Sequence, residues 1–193
     1  MILSHQHKII YIHIPRTGGS WLSYKLLHYE NNYHGSGREM YSIEGKKLPF
    51  GRHTKLENIY NQSDTIGINP DTYFKFVVVR HPFTRFMSAW RYFTKYMMTA
   101  QRNNLHNTED LMDWIENGST KLHIQPQANW YDKRFDKIVR FEDIESFDLK
   151  DIIPNWQIKN DKIAKTVYNY ELSVGVKKRI EKFYAKDFEL FDY

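Results

Sequence analysis

The sequence has no cysteine at all. Disulfides, thiolate metal sites and cysteine nucleophiles are therefore excluded. It also lacks a long apolar run: stretches such as Phe76 to Val79 fall far short of the ~18 residues a membrane-spanning helix needs. The first apolar stretch, Ile9 to Ile14, runs straight into Pro15 and Arg16 rather than a small-residue cleavage site, so no export signal is read there. A soluble, cytoplasmic protein is expected. Repeats, low-complexity tracts and Pro/Gly/Ser-rich linkers are missing too, and 193 residues fit one domain, 1–193, since roughly 100 to 200 residues per domain is usual.

What is present is a modest excess of positive charge. Lys plus Arg number 28 against 23 Asp plus Glu, a net +5, with an isoelectric point near 9.2. That balance favours an anionic ligand but is too small to name nucleic acid. Lys8 to Ile14 and Tyr73 to Arg80 are short β-branched and aromatic runs, closed by Pro15 and by His81-Pro82, as buried strands of a parallel sheet are. A helical pattern follows each. Trp21, Tyr24 and Leu27 carry the first, with Leu26 and Tyr29 close to it, and Phe86, Ala89, Trp90, Phe93 and Met97 the second. Asn31 to Gly51 reads as a long polar loop, Thr108 to Asn117 as a short capped helix, Lys137 to Phe141 as a third strand, and Ser173 to Tyr184 as a helix capped by Ser173. The fold class is α/β, and ligand sites in such sheets lie at the carboxyl ends of the strands.

Two loops sit at those ends. In Pro15-Arg16-Thr17-Gly18-Gly19-Ser20, backbone N–H groups and a helix start converge, Arg16 brings a permanent charge, and the Thr17 and Ser20 hydroxyls can bond phosphate oxygens. A tight strand-to-helix turn with Ser20 as its cap is the plainer reading. The Walker A pattern is absent. The second strand ends in Arg80, where magnesium-dependent P-loop enzymes often carry an aspartate for the metal. Arg80 and Ser88, with Arg85 in the first helical turn, could converge on one phosphate, or be solvated, ion-paired and packing residues instead. Arg140 to Asp143 reads as a capped turn or a nucleotide-facing segment, and Glu109-Asp110 as first-turn helix charges. No metal site is expected.

Together, HIPRTGGSWL at 13–22 and FVVVRHPFTRFMSAW at 76–90 resemble the 5′-phosphosulfate and 3′-phosphate loops of sulfotransferases that use PAPS, 3′-phosphoadenosine 5′-phosphosulfate. Arg52-His53-Thr54, RFEDIESF at 140–147 and the ending FYAKDFELFDY extend the resemblance to the family-2 branch, which includes many carbohydrate sulfotransferases. The resemblance implies a P-loop-kinase-like three-layer α/β fold with a central parallel sheet flanked by helices. It also implies PAPS as co-substrate, PAP as product, no metal, and a hydroxyl-bearing acceptor, a saccharide. Carried over by position, Arg16, Thr17, Gly18, Gly19, Ser20 and Trp21 would hold the 5′-phosphosulfate, and Arg80 and Ser88 the 3′-phosphate. Many members have lysine where this chain has Arg16. Arginine keeps the charge and gains bidentate geometry, but it does not release a proton at neutral pH.

In-line sulfuryl transfer needs a base for the acceptor hydroxyl and a cation for the leaving oxygen. Arg16 is the cation, and a histidine is the natural base. Among the nine histidines, His13 and His81 have packing or loop roles by default and His34 lies in the polar loop; His53 is preferred because its setting resembles the family's base. The rivals are a nucleotide-dependent phosphotransferase, disfavoured by the missing Walker lysine and by Arg80, and a basic nucleic-acid-binding module. Nucleic acid is not the expected partner.

Overall fold

The computed structural model describes residues 1–29, 40–42, 45–95, 103–153 and 171–193. The described residues separate into two compact units, one of those within 1–79 and 130–153, the other of those within 80–129 and 171–193.

The first unit holds a four-stranded sheet in the order β1 (Ile2–Ser4), β2 (Ile9–Ile12), β5 (Phe74–Val79), β6 (Lys137–Arg140). Strand β1 lies antiparallel to β2, with Ile2 opposite Tyr11. The remaining pairs are parallel: β2 with β5 and β5 with β6, placing Tyr11 beside Phe76 and Val79 beside Arg140. The sequence predicts an α/β fold with a parallel sheet; β2, β5 and β6 are parallel as expected, and β1 adds an antiparallel edge. Strand β2 is buried along its whole length, which is why its residues are apolar on both faces. Lys75 interrupts the apolar run of β5 and is itself buried. Its ammonium donates to the Tyr73 carbonyl at 2.6 Å and pairs with Asp136 at 3.0 Å.

Helix α1 (Gly19–Tyr29) follows β2 and packs Leu22 and Leu26 into a core with Tyr11, Phe76, Val78, Phe141 and Ile144. Of the residues read from the sequence, Leu26 is buried in this core and Trp21 packs against it, with Leu22 buried beside them. The side chains of Tyr24, Leu27 and Tyr29 lie outside the described set. Part of the expected long loop is structured: β3 (Met40–Tyr41) and β4 (Lys47–Leu48) form a two-stranded ribbon with Met40 opposite Leu48. Strands this short carry no readable alternation. The unit also contains two short helices, α2 (Leu56–Asn61) and α3 (Ser63–Ile66).

The second unit is helical. Helix α4 (Pro82–Lys95) buries Phe86, Met87, Ala89 and Phe93 against Leu111, Met112 and Ile115 of α5 (Thr108–Glu116) and Val176 and Ile180 of α6 (Val174–Phe183). Trp90 packs at the edge of this cluster, and Met97 lies outside the described residues. Asn107 and Asp110 close a reciprocal capping box on α5, and the Ser173 hydroxyl accepts the Val176 N–H at the start of α6. The chain bends at Tyr184 and continues as α7 (Ala185–Phe191).

Among the described residues, no helix is long and apolar enough to cross a membrane.

Candidate functional site

In the first unit, the turn from β2 to α1 is built tightly. Arg16 and Gly18 both take left-handed backbone conformations, with φ of 68° and 83°. For arginine that region is sparsely populated, so the surrounding structure must hold it there. The fully buried Thr17 helps: its hydroxyl donates to the Ile14 carbonyl at 2.9 Å, tying the loop to the end of the strand. Gly18 then accepts the Trp21 and Leu22 N–H groups, at 3.0 and 3.2 Å, which starts the helix. The first N–H groups of a helix have no acceptor within it, and the helix dipole adds partial positive charge. No acidic residue sits in the first turn of α1 to oppose an anion.

The two glycines are required by protein atoms. A Cβ on Gly18 would come within 2.3 Å of the Phe141 ring, and one on Gly19 within 2.0 Å of His13. Phe141, from the segment just after β6, and His13, from the end of β2, therefore press the loop from below. Ser20 is exposed, Arg16 is half-buried, and Trp21 packs partly against the core.

His13 also fixes a second histidine. The His53 Nδ1–H donates to the His13 carbonyl at 2.8 Å, and the two rings meet edge-on with centroids 4.8 Å apart. Because a carbonyl only accepts, this bond puts the proton on Nδ1 and leaves the lone pair on Nε2. The Trp130 indole donates to the His53 carbonyl at 2.9 Å, holding the backbone as well as the ring. Burial lowers the His53 pKa to about 4, against the opposing pull of the His13 bond; the positive charges of the amino terminus, Arg52 and Arg16 lower it further. His13 is depressed too, by burial first and then by the same charges and His53. At neutral pH the pair is uncharged, and His53 is in the form that accepts a proton.

In the second unit, Arg80 immediately follows β5 and is largely buried, at 9% exposure. Its N–H donates to the Gln127 side-chain oxygen, and its carbonyl accepts from the Gln127 amide nitrogen, both at 2.8 Å. Its Nε donates to the Thr84 hydroxyl at 3.1 Å. Arg85 is 2% exposed, its guanidinium lies 6.0 Å from the centre of the Tyr184 ring, and burial lowers its pKa. Ser88 is buried on α4. The His81 Nδ1 accepts the Phe83 N–H, and its ring packs with Phe83, Phe188 and Tyr193, a packing role.

The structure thus groups Arg16 to Trp21, His13 and His53 in one unit, and Arg80, Arg85 and Ser88 in the other. His34 lies outside the described residues. Sequence reasoning missed Phe141 as the support of Gly18, Trp130 as the clamp on His53, and Gln127 with Asp187 as the frame around Arg80. Among the described residues, no cluster of three or more His, Asp or Glu side chains could hold a metal ion.

A family model described as a sulfotransferase family matches residues 1–148. No curated protein and no solved structure matches the chain.

Proposed function

The chain belongs to the sulfotransferase family, in a family-2-like form, and from that premise we propose that it transfers the sulfuryl group of PAPS to an acceptor hydroxyl, on a saccharide, by in-line displacement. The observation that carries this reading is the pairing, within one unit, of a neutral histidine whose Nε2 is left as a proton acceptor with the Arg16 loop at a helix start. The whole of residues 1–193 is taken as a single sulfotransferase domain.

The residues fit the donor's chemistry. The Arg16 to Trp21 turn offers backbone donors, a permanent cation and an exposed Ser20 hydroxyl for a phosphosulfate. Thr17 contributes through its main chain, since its hydroxyl proton is already committed to Ile14. Arg80, with its main chain held on both sides, and Ser88 supply charge and a hydroxyl for the 3′-phosphate. When bound, PAPS supplies the sulfuryl group, whose bond to the bridging oxygen breaks as the acceptor oxygen bonds to sulfur, leaving PAP with the electron pair. His53 Nε2 takes the hydroxyl proton, and the His13 carbonyl keeps the ring in the required tautomer throughout. Arg16 opposes the negative charge that grows on the leaving oxygen. No step calls for a metal.

The test is PAP release from PAPS in EDTA, followed across a panel of saccharide acceptors. Acceptor-dependent release is expected. Release that requires magnesium, or transfer of a phosphoryl group from ATP, would replace this reading with a kinase-like one.

A further inference from the structure

Asp187 is a fully buried carboxylate in the middle of an aromatic C-terminal segment, framed by N–H donors of a neighbouring turn. One oxygen accepts the Gln127 N–H at 2.9 Å and, more weakly, the Gln127 side-chain amide at 3.4 Å; the other accepts the Ala128 N–H at 2.8 Å. All three partners are N–H donors, so both oxygens act as acceptors, as an ionised carboxylate requires. Burial, the largest influence, raises the Asp187 pKa, while the bonds from Ala128 and Gln127 and the Arg85 guanidinium pull the other way and favour the charge. Gln127, itself fully buried, spends its amide on the main chain of Arg80, donating to the carbonyl and accepting from the N–H. In doing so it gives Arg80 the two bonds that a neighbouring strand would give, one residue beyond the end of β5.

We propose that Asp187 is a positioning residue for the donor's 3′-phosphate, acting through Gln127 to hold the Arg80 backbone so that its guanidinium is presented in one direction. The inference rests on the functional reading that Arg80 binds that phosphate. It gives the C-terminal segment a role in ligand binding, where packing of its aromatic residues alone would make it only a stabilising cap. Asparagine at 187 cannot serve both backbone N–H groups, because its amide nitrogen would face one of them. Methionine at 127 keeps the length of the side chain and loses both bonds to Arg80, while its own backbone N–H can still reach Asp187.

The experiment is calorimetric titration of PAP into the full chain and into Asp187→Asn, Gln127→Met, Arg80→Ala and each double variant with Arg80→Ala. Hydrogen exchange at the Arg80 amide is read alongside. Both single positioning variants should weaken PAP binding by about tenfold and speed exchange at Arg80, and neither should weaken binding further once Arg80 is alanine, the non-additivity expected of residues acting as a unit. Arg80→Lys in the Asp187→Asn background should recover none of the loss. Unchanged affinity in both single variants, or losses that add in full to that of Arg80→Ala, would overturn the inference and leave Arg80 as a phosphate ligand. Failure of the unaltered chain to bind PAP would instead remove the functional reading and this inference with it. Gln127→Met keeps the question open to refutation should Asp187→Asn fold poorly.

Discussion

At His53, one hydrogen bond decides what the ring can do. With Nδ1–H donated to the His13 carbonyl, only Nε2 can accept a proton, and a pKa of about 4 keeps it neutral. As the proposed general base, with a pKa below the operating pH, His53 would contribute at most roughly 10² to 10⁴-fold. His53→Ala should therefore lower turnover by about that factor while PAP affinity stays near that of the unaltered chain, as titration and steady-state rates would show. His34→Ala serves as the comparison, and a loss confined to that variant would move the base there. The pH profile follows from the same environment. Activity in the free enzyme should hold down to about pH 5 and fall as the ring protonates near 4. A bound polyanion offsets the charges of Arg16 and Arg52, so the acid limb of kcat should lie above that of kcat/KM. Stability moves in the same direction. The unfolded chain binds the proton at about 6.5 and the folded chain only near 4, so stability is full above pH 6.5 and declines as pH falls through that window. Thermal unfolding across pH 7 to 4.5 should show a steeper decline in the unaltered chain than in His53→Ala. Arg16 calls for a different pattern: Arg16→Ala should reduce turnover more than donor affinity, because charge on the leaving oxygen appears only in the transition state, and Arg16→Lys should retain activity. An alanine variant with normal turnover and weakened donor binding would make Arg16 a binding residue only. Arg16 and Arg80 stand out in the sequence as cations just after strands, whereas His53 is singled out there only by its resemblance to the family's base. The sequence does not reveal their supports, since Trp130 and Gln127 act from 77 and 47 residues away.

At the scale of elements, the strand-to-helix turn is shaped by what presses against it. Gly19→Ala would drive a Cβ into the His13 ring, a clash with a packed side chain that costs about 1–3 kcal/mol. Thermal unfolding should show that loss, and His13→Ala in the same chain should restore part of it. If the double variant is as unstable as the sum of the two, something other than His13 enforces the glycine. Gly18→Ala should not be rescued by shrinking Phe141, because its φ of 83° strains any side chain there. Strands β2, β5 and β6 and helices α4, α5 and α6 were readable because each has a run or stripe long enough to show its period. The ribbon of β3 and β4 and the edge strand β1 are too short for that. Helix α7 did leave a sign: Tyr184, Asp187, Phe188 and Phe191 stand at helical spacing, and an acid on an otherwise apolar face marks a buried carboxylate with partners to satisfy it.

For the molecule as a whole, the parallel sheet order and the family match agree with the fold and chemistry that the two loop motifs imply. The acceptor was not legible, because acceptor recognition depends on side chains converging from distant segments and has no fixed spacing along a chain. The proposed donor loops are different: each is local, formed within a few residues of a strand end. The central claim, that the chain binds a 3′,5′-bisphosphorylated adenosine without a metal, is therefore tested most directly by calorimetric titration of PAP in EDTA, with ATP and magnesium as the comparison. The account predicts micromolar or tighter PAP binding in EDTA, weakened at least tenfold in Arg80→Ala by loss of charge-assisted bonds worth about 1.5–3 kcal/mol. No binding of PAP in EDTA, with ATP bound once magnesium is added, would contradict it.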